Sequence, residues 1–336
     1  MYNGSKYSRI FVILGVVLLV AGVLLAVSNF ADFGFSKGFS FDWNFGGANS
    51  ENSENSKNSI DQEGNESIKG IDAISIQTVS DNINLIPVDS DEVRAHYYGS
   101  YSATNSDYKP ELVVEKSGSR LKIKINQKSN VNNFSFRSDL KLDVYIPRQF
   151  DEDIEINSTS GEVTVEVLDV DEFKYSNISG DLNAERIEAE KASLNTTSGE
   201  INISGEFEKF KFNTVSGNLV SDDLIAKESS YNTTSGEIKL SGKPGDVSAK
   251  SISGNLTYIY SDFDNDIEAN TVSGEVEISL PADAGFKLDY KTASGDVRTD
   301  FEVSGNKGEH NLKGTVGDGD GSVDVQTVSG NLTIRN

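Results

Sequence analysis

The C-terminal half of the chain alternates apolar and polar residues in short bursts, each burst broken at a Ser-Gly pair. With each glycine numbered zero, apolar residues fall at −7, −5, +2 and usually +4. Ile154, Ile156, Val163 and Val165 show it around Gly161, and Ala192, Leu194, Ile201 and Ile203 around Gly199. A period of two on each side predicts two half-buried β-strands flanking every glycine. Parity flips between −5 and +2, so the chain must turn or bulge at Ser-Gly to keep both apolar sets on one core.

The burst recurs. Its glycines are Gly161, Gly180, Gly199, Gly217, Gly236, Gly254, Gly274, Gly295 and Gly330, at intervals of 19, 19, 18, 19, 18, 20, 21 and 35 residues. A tenth copy has Asp81 in the glycine place, with Ile74, Ile76, Ile83 and Leu85 at the apolar positions. A period of this size marks stacked supersecondary units. The fold expected is all-β, a parallel β-solenoid of about 19-residue repeats, with a meander of hairpins as its rival. Glycine is expected at the corner for a positive φ, and Asp81 as a residue that tolerates one. Ser at −1 and Ser, Thr or Asn at −3 suit backbone groups freed at a bend. At +1 the early copies alternate Glu162, Asp181, Glu200, Asn218, Glu237 and Asn255. That alternation thins the like-charge ladder that stacking in register would create.

Between Asp81 and Gly161 the motif lapses, although strand patterning continues and Ser117-Gly118-Ser119 reads as a hairpin turn. Residues 71–150 are therefore expected as an irregular N-terminal part and 151–336 as regular repeats. Charged segments such as Glu185–Lys191 and Asp222–Glu228 read as exposed loops. Pro244 and Pro281 mark turns on the far side of the rung.

Ahead of the repeats, Ile10–Val27 is an uninterrupted run of apolar residues and glycine, long enough as a helix to span a bilayer. Residues 10–29 are expected as a transmembrane signal-anchor helix. A cleaved signal peptide ending near Ala26-Val27-Ser28 is the alternative. Lys6 and Arg9 precede the run, which puts residues 1–9 in the cytoplasm and the C-terminal bulk outside. Residues 30–47 form an aromatic juxtamembrane segment. The Asn-, Ser- and Glu-rich stretch 48–70 reads as a disordered linker. The repeat domain spans 71–336.

A net charge of −23 argues against nucleic acid as a partner. The absence of cysteine removes disulfides, thiolate metal sites and a catalytic thiol. Stacking places Glu162, Asp181 and Glu200 on one face, but they recur evenly, without the contrasting environments an acid–base pair needs. His96 and His310 lack ligand spacing. The alternating acids Asp262–Glu268 and the run Asp318–Asp320 lack the glycine or the repetition of calcium loops. No catalytic, cofactor-binding or metal residue is assigned, and no cofactor is expected.

The recurring Ser-Gly-Glu/Asp/Asn-aliphatic motif, the Leu85-Ile86-Pro87 exit, the Leu140–Pro147 segment and the closing Thr327–Leu332 copy resemble the bacterial putative-adhesin domain family of unknown function. LiaG-like cell-envelope proteins belong to it. The resemblance implies a β-solenoid, an envelope location and no assigned catalytic residues. The reading that follows is a membrane-anchored, non-enzymatic extracytoplasmic module in surface adhesion or envelope stress sensing. Its partners are the membrane and cell-wall or envelope proteins. A polysaccharide-active β-helix lyase or hydrolase is the rival.

Overall fold

The computed structural model describes residues 57–103, 109–126 and 136–336. The expected helix at 10–29, the aromatic segment 30–47 and the first part of the linker lie outside them. Among the described residues no helix is long and apolar enough to cross a membrane.

Every described element is a strand, and successive copies of the repeat pair in parallel, which selects the solenoid over the hairpin meander. Each rung, named here by its corner residue, begins with a short strand such as Asp153–Asn157, turns at Ser-Gly, and leaves on a second strand. Both apolar sets point inward: Ile154, Ile156, Val163 and Val165 are at most 1% exposed. Each such side chain contributes roughly 1.5–3 kcal/mol of burial, and stacking joins them into one continuous core.

The charged segments expected as loops are instead a third side of the rung. Val163–Asn177, Leu182–Thr196, Ile201–Thr214 and Leu219–Thr233 are each one strand running from one corner to the next. Ile187 and Leu224 are fully buried within them, while their charged neighbours face solvent. Bulges between Ala184 and Ile187, Asn202 and Gly205, and Ser221 and Leu224 bend these strands and absorb the difference between 18- and 19-residue periods. Pro244 and Pro281 fall between strands, as expected.

Order along the stack differs from order along the chain at both ends. Ala73–Gln77 pairs with Arg120–Asn126 on one side and Asp153–Asn157 on the other, and Asn82–Val88 likewise lies between Phe136–Pro147 and Val163–Asn177. The first rung is therefore an interior layer. The last is too: Gly321–Thr327 lies between Asp266–Thr271 and Phe286–Lys291, and Leu332–Arg335 between Val276–Ser279 and Val297–Thr299.

Antiparallel strands close both ends. Glu92–Ala103 pairs with Phe136–Pro147, and Asn311–Val316 with Phe286–Lys291, covering backbone that would otherwise be an open sheet edge. The Ser117-Gly118-Ser119 hairpin forms as expected, with Gly118 at φ 65°. Residues 57–67, expected within a disordered linker, form a strand paired to residues 92–102. A polar composition did not prevent it, because the cap offers an unfilled row of backbone partners and a buried place for Ile60.

Candidate functional site

The corner column is the most repeated feature of the molecule, and its bonds run both within and between rungs. At −3, Thr196, Thr214, Thr233, Thr271, Thr292 and Thr327 accept the N–H of their own corner glycine through Oγ1 at 2.7–3.0 Å. Thr196 and Thr233 are fully buried. At −1, each Ser N–H donates to the −2 carbonyl of the preceding rung, as Ser216 does to Thr197 at 2.8 Å. The Ser216 hydroxyl donates to the same oxygen at 3.3 Å. The sequence reading of both positions holds.

The reason for glycine is different from the one expected. None of Gly161, Gly180, Gly199, Gly217, Gly236, Gly254, Gly274, Gly295 and Gly330 has a positive φ; that backbone occurs at bends such as Gly205 and Gly242. At the corner, a Cβ on Gly161, Gly199 or Gly295 would come within 2.8 Å of the carbonyl carbon at the neighbouring rung's corner, and closer to its oxygen. Rungs spaced about 4.8 Å apart leave no room there for a side chain. Asp81 is tolerated because it opens this column among the described residues. Its carboxylate accepts from Tyr97 of the cap at 2.8 Å. Its other oxygen has no protein partner, and burial pushes the carboxyl up against the opposing hydrogen bond from Tyr97.

The +1 alternation also has a bonding role. Asn82, Asp181, Asn218, Asn255 and Asn331 each accept, through Oδ1, the backbone N–H of the +1 residue on the next rung, at 2.8–3.2 Å. Glu162, Glu200, Glu237, Glu275 and Asp296 are those donors. In chain order the pattern breaks at Asp296. In stack order the Gly330 rung separates the Gly274 and Gly295 rungs, so Asx that accepts and acid that donates alternate without a break.

The remaining sequence candidates are surface groups. His96 Nε2 lies 2.8 Å from Asp61 Oδ1 and stacks on Tyr98, while His310 is exposed. Among the described residues, no cluster of three or more His, Cys, Asp or Glu could hold a metal ion. Asp262 pairs with Lys243 at 3.3 Å, and Asp266 accepts from Ser322 at 2.6 Å. Asp318 follows Gly317, which has a φ of 57°, so Asp318–Asp320 lies in a turn.

Sequence reasoning missed a groove on the N-terminal cap. Asn65, Arg94 and Tyr145 are cross-strand neighbours on three adjacent strands. The Arg94 guanidinium lies 4.0 Å over the Tyr145 ring, and its Nη1 is 3.6 Å from Glu63. The hollow they border, with Val88, Ser90 and Glu92, has a volume of about 480 Å³. A second hollow of about 360 Å³ shares Val88 and Ser90 and adds Arg148 and Gln149. These residues come from three separate segments, 63–65, 88–94 and 145–149, without a repeat, so no local motif marked them.

Comparison with known proteins agrees with the motif. The Toastrack DUF4097 family profile matches twice, over residues 71–206 and 205–335. No curated protein matches. Similar solved structures include a putative adhesin from Bacteroides fragilis NCTC 9343, 13% identical with a TM-score of 0.45, covering 84% of this chain and 98% of that one. A putative lipid binding protein from Parabacteroides distasonis ATCC 8503 is 17% identical with a TM-score of 0.44, covering 82% and 96%. A putative adhesin from Parabacteroides merdae ATCC 43184 is 14% identical with a TM-score of 0.39, covering 82% and 95%. The two profile matches together run from the Asp81 rung to the last strand of the solenoid, so the chain belongs to the Toastrack DUF4097 family.

Proposed function

We propose that this chain is a membrane-anchored, non-catalytic recognition module: a β-solenoid held outside the cytoplasmic membrane by residues 10–29, binding cell-wall or envelope components. The observation that carries the non-catalytic part is the bonding of the corner column. The Ser and Asx side chains of the repeated motif hold one rung to the next and the Thr side chains close each corner, so the most regular polar chemistry in the chain is engaged in the stack. The acids left exposed beside it repeat at every second rung in equivalent surroundings, whereas acid–base catalysis requires two groups in contrasting ones.

The extracellular placement rests on the apolar run and on Lys6 and Arg9 ahead of it. Names of similar solved structures point to adhesion and to lipid binding. Sensing of envelope stress belongs to the same reading as a consequence of binding. Two measurements test it. Protease added to intact, wall-stripped cells is expected to degrade or release the repeat domain; full protection of 57–336 would contradict the orientation. Incubation with wall and capsule polysaccharides is expected to give no new reducing ends or unsaturated products. Turnover abolished by Glu162→Gln, Glu200→Gln or Glu237→Gln would establish the lyase or hydrolase alternative.

A further inference from the structure

The groove of the N-terminal cap gathers paired side chains around a hollow. Its acids are each matched by a cation or an amide. Glu63 faces Arg94 at 3.6 Å, Asp89 faces Arg148 at 3.6 Å, Glu92 accepts from Asn65 at 2.7 Å, and Asp91 accepts from Gln149 at 2.6 Å. Asn65 holds Glu92 and Gln149 holds Asp91 by hydrogen bonds, so part of the rim is ordered before any ligand arrives, which lowers the ordering cost of binding. The Tyr145 ring under Arg94 and the side chain of Val88 add an apolar element to a polar rim.

We propose that this groove binds an uncharged saccharide chain, an inference that rests on the recognition-module reading and names its ligand class. A hydroxyl both donates and accepts, so it can use the free lone pairs of Glu63, Glu92 and Asp91 together with the free hydrogens of Arg94 and Arg148. An anion such as a phosphate would meet two carboxylates in either hollow against one arginine. A cationic peptide would have to compete with the arginines for Glu63 and Asp89, placing like charges side by side. Neither cost falls on a neutral ligand. The larger hollow, about 480 Å³, lies within the roughly 300–1,000 Å³ range of sites for small ligands. The second hollow continues past Val88 and Ser90, which suits a chain rather than a single ring.

The test uses the full-length chain with cellohexaose, chitohexaose and maltohexaose as probes, and hexalysine and inorganic phosphate as charged controls, by calorimetric titration and saturation-transfer NMR. At least one saccharide is expected to bind and to receive saturation from the Tyr145 ring in the unaltered chain. Arg94→Ala and Asn65→Ala are each expected to weaken binding by roughly tenfold or more, with Glu237→Gln unchanged. The inference is overturned if no saccharide binds, if only hexalysine or phosphate binds, or if a bound saccharide neither contacts Tyr145 nor responds to either groove variant. Appearance of shortened saccharides would overturn the non-catalytic reading instead, leaving the binding site in place.

Discussion

The Cα of Gly199 stacks against the backbone of Gly180 so closely that a Cβ there would lie 2.8 Å from the Gly180 carbonyl carbon. The same relation joins Gly236 to Gly217 and Gly295 to Gly330. The corner glycine is thus fixed by the distance between rungs, not by the conformation within one. Substitution at Gly217 follows that logic. A Cβ there meets the Thr196 methyl at 2.7 Å and the Thr214 hydroxyl at 2.8 Å. Asn, which tolerates positive φ, is expected to be no milder than Val, each costing about 1–3 kcal/mol as overpacking does. Thermal unfolding of Gly217→Asn beside Gly217→Val checks this; a clearly milder Asn would restore a conformational role for the glycine.

Asn218 accepts the Glu237 N–H at 2.9 Å. Asn218→Ala removes the acceptor and is expected to cost about 0.5–1.5 kcal/mol, whereas Asn218→Asp keeps it and reproduces the arrangement at Asp181. Asn218→Glu would join Glu162, Asp181, Glu200 and Glu237 into a run of acids on five successive rungs, about 5 Å apart, inside the roughly 8 Å screening length at physiological salt. Its loss of stability is expected to shrink as salt is raised, which unfolding at two ionic strengths measures.

Asp81 gives a pH signature. Burial raises its folded-state pKa above the unfolded value, so its contribution is most favourable below the unfolded pKa and is lost as pH rises through the folded one. Asp81→Asn keeps an acceptor for Tyr97 without the charge. The variant is expected to gain stability relative to the parent chain as pH rises from acid toward neutral. A difference between the two that does not change with pH would contradict the assignment.

Removing residues 321–336 deletes an interior layer rather than a frayed end, because the 286–299 rung pairs in parallel only with strands from that stretch among the described residues. Hydrogen exchange is expected to show Leu288 and Tyr290 losing protection together with the 304–316 hairpin, while the rungs from Gly161 to Gly217 keep theirs. Retained protection at Leu288 would mean that the outer rung stands by itself.

Much of this architecture was legible in the chain. The apolar positions, the corner spacing, the roles of Ser at −1 and Thr at −3, and Asp81 as a tenth corner all follow from period and parity, which are local signals. What was not legible depends on neighbours in space. Positive φ and backbone contact both select glycine, and one sequence cannot separate them. The +1 alternation appears broken at Asp296 until the Gly330 rung is seen inserted before it. The third side of each rung hid because one buried residue, such as Ile187, sits among charges. Strand 57–67 hid because pairing to a cap is written in the partner, not in its own composition.

The central claim is that the recurring motif is architecture, and adjacent residues test it most directly. Thermal unfolding of the full-length chain carrying Gly199→Ala is expected to show a marked drop in midpoint, because the added methyl has no space against Gly180. Glu200→Gln, one residue on and exposed, is expected to shift stability by no more than about 1 kcal/mol, since its backbone N–H still reaches Asp181. A neutral Gly199→Ala, or a Glu200→Gln as damaging as the glycine substitution, would contradict the account.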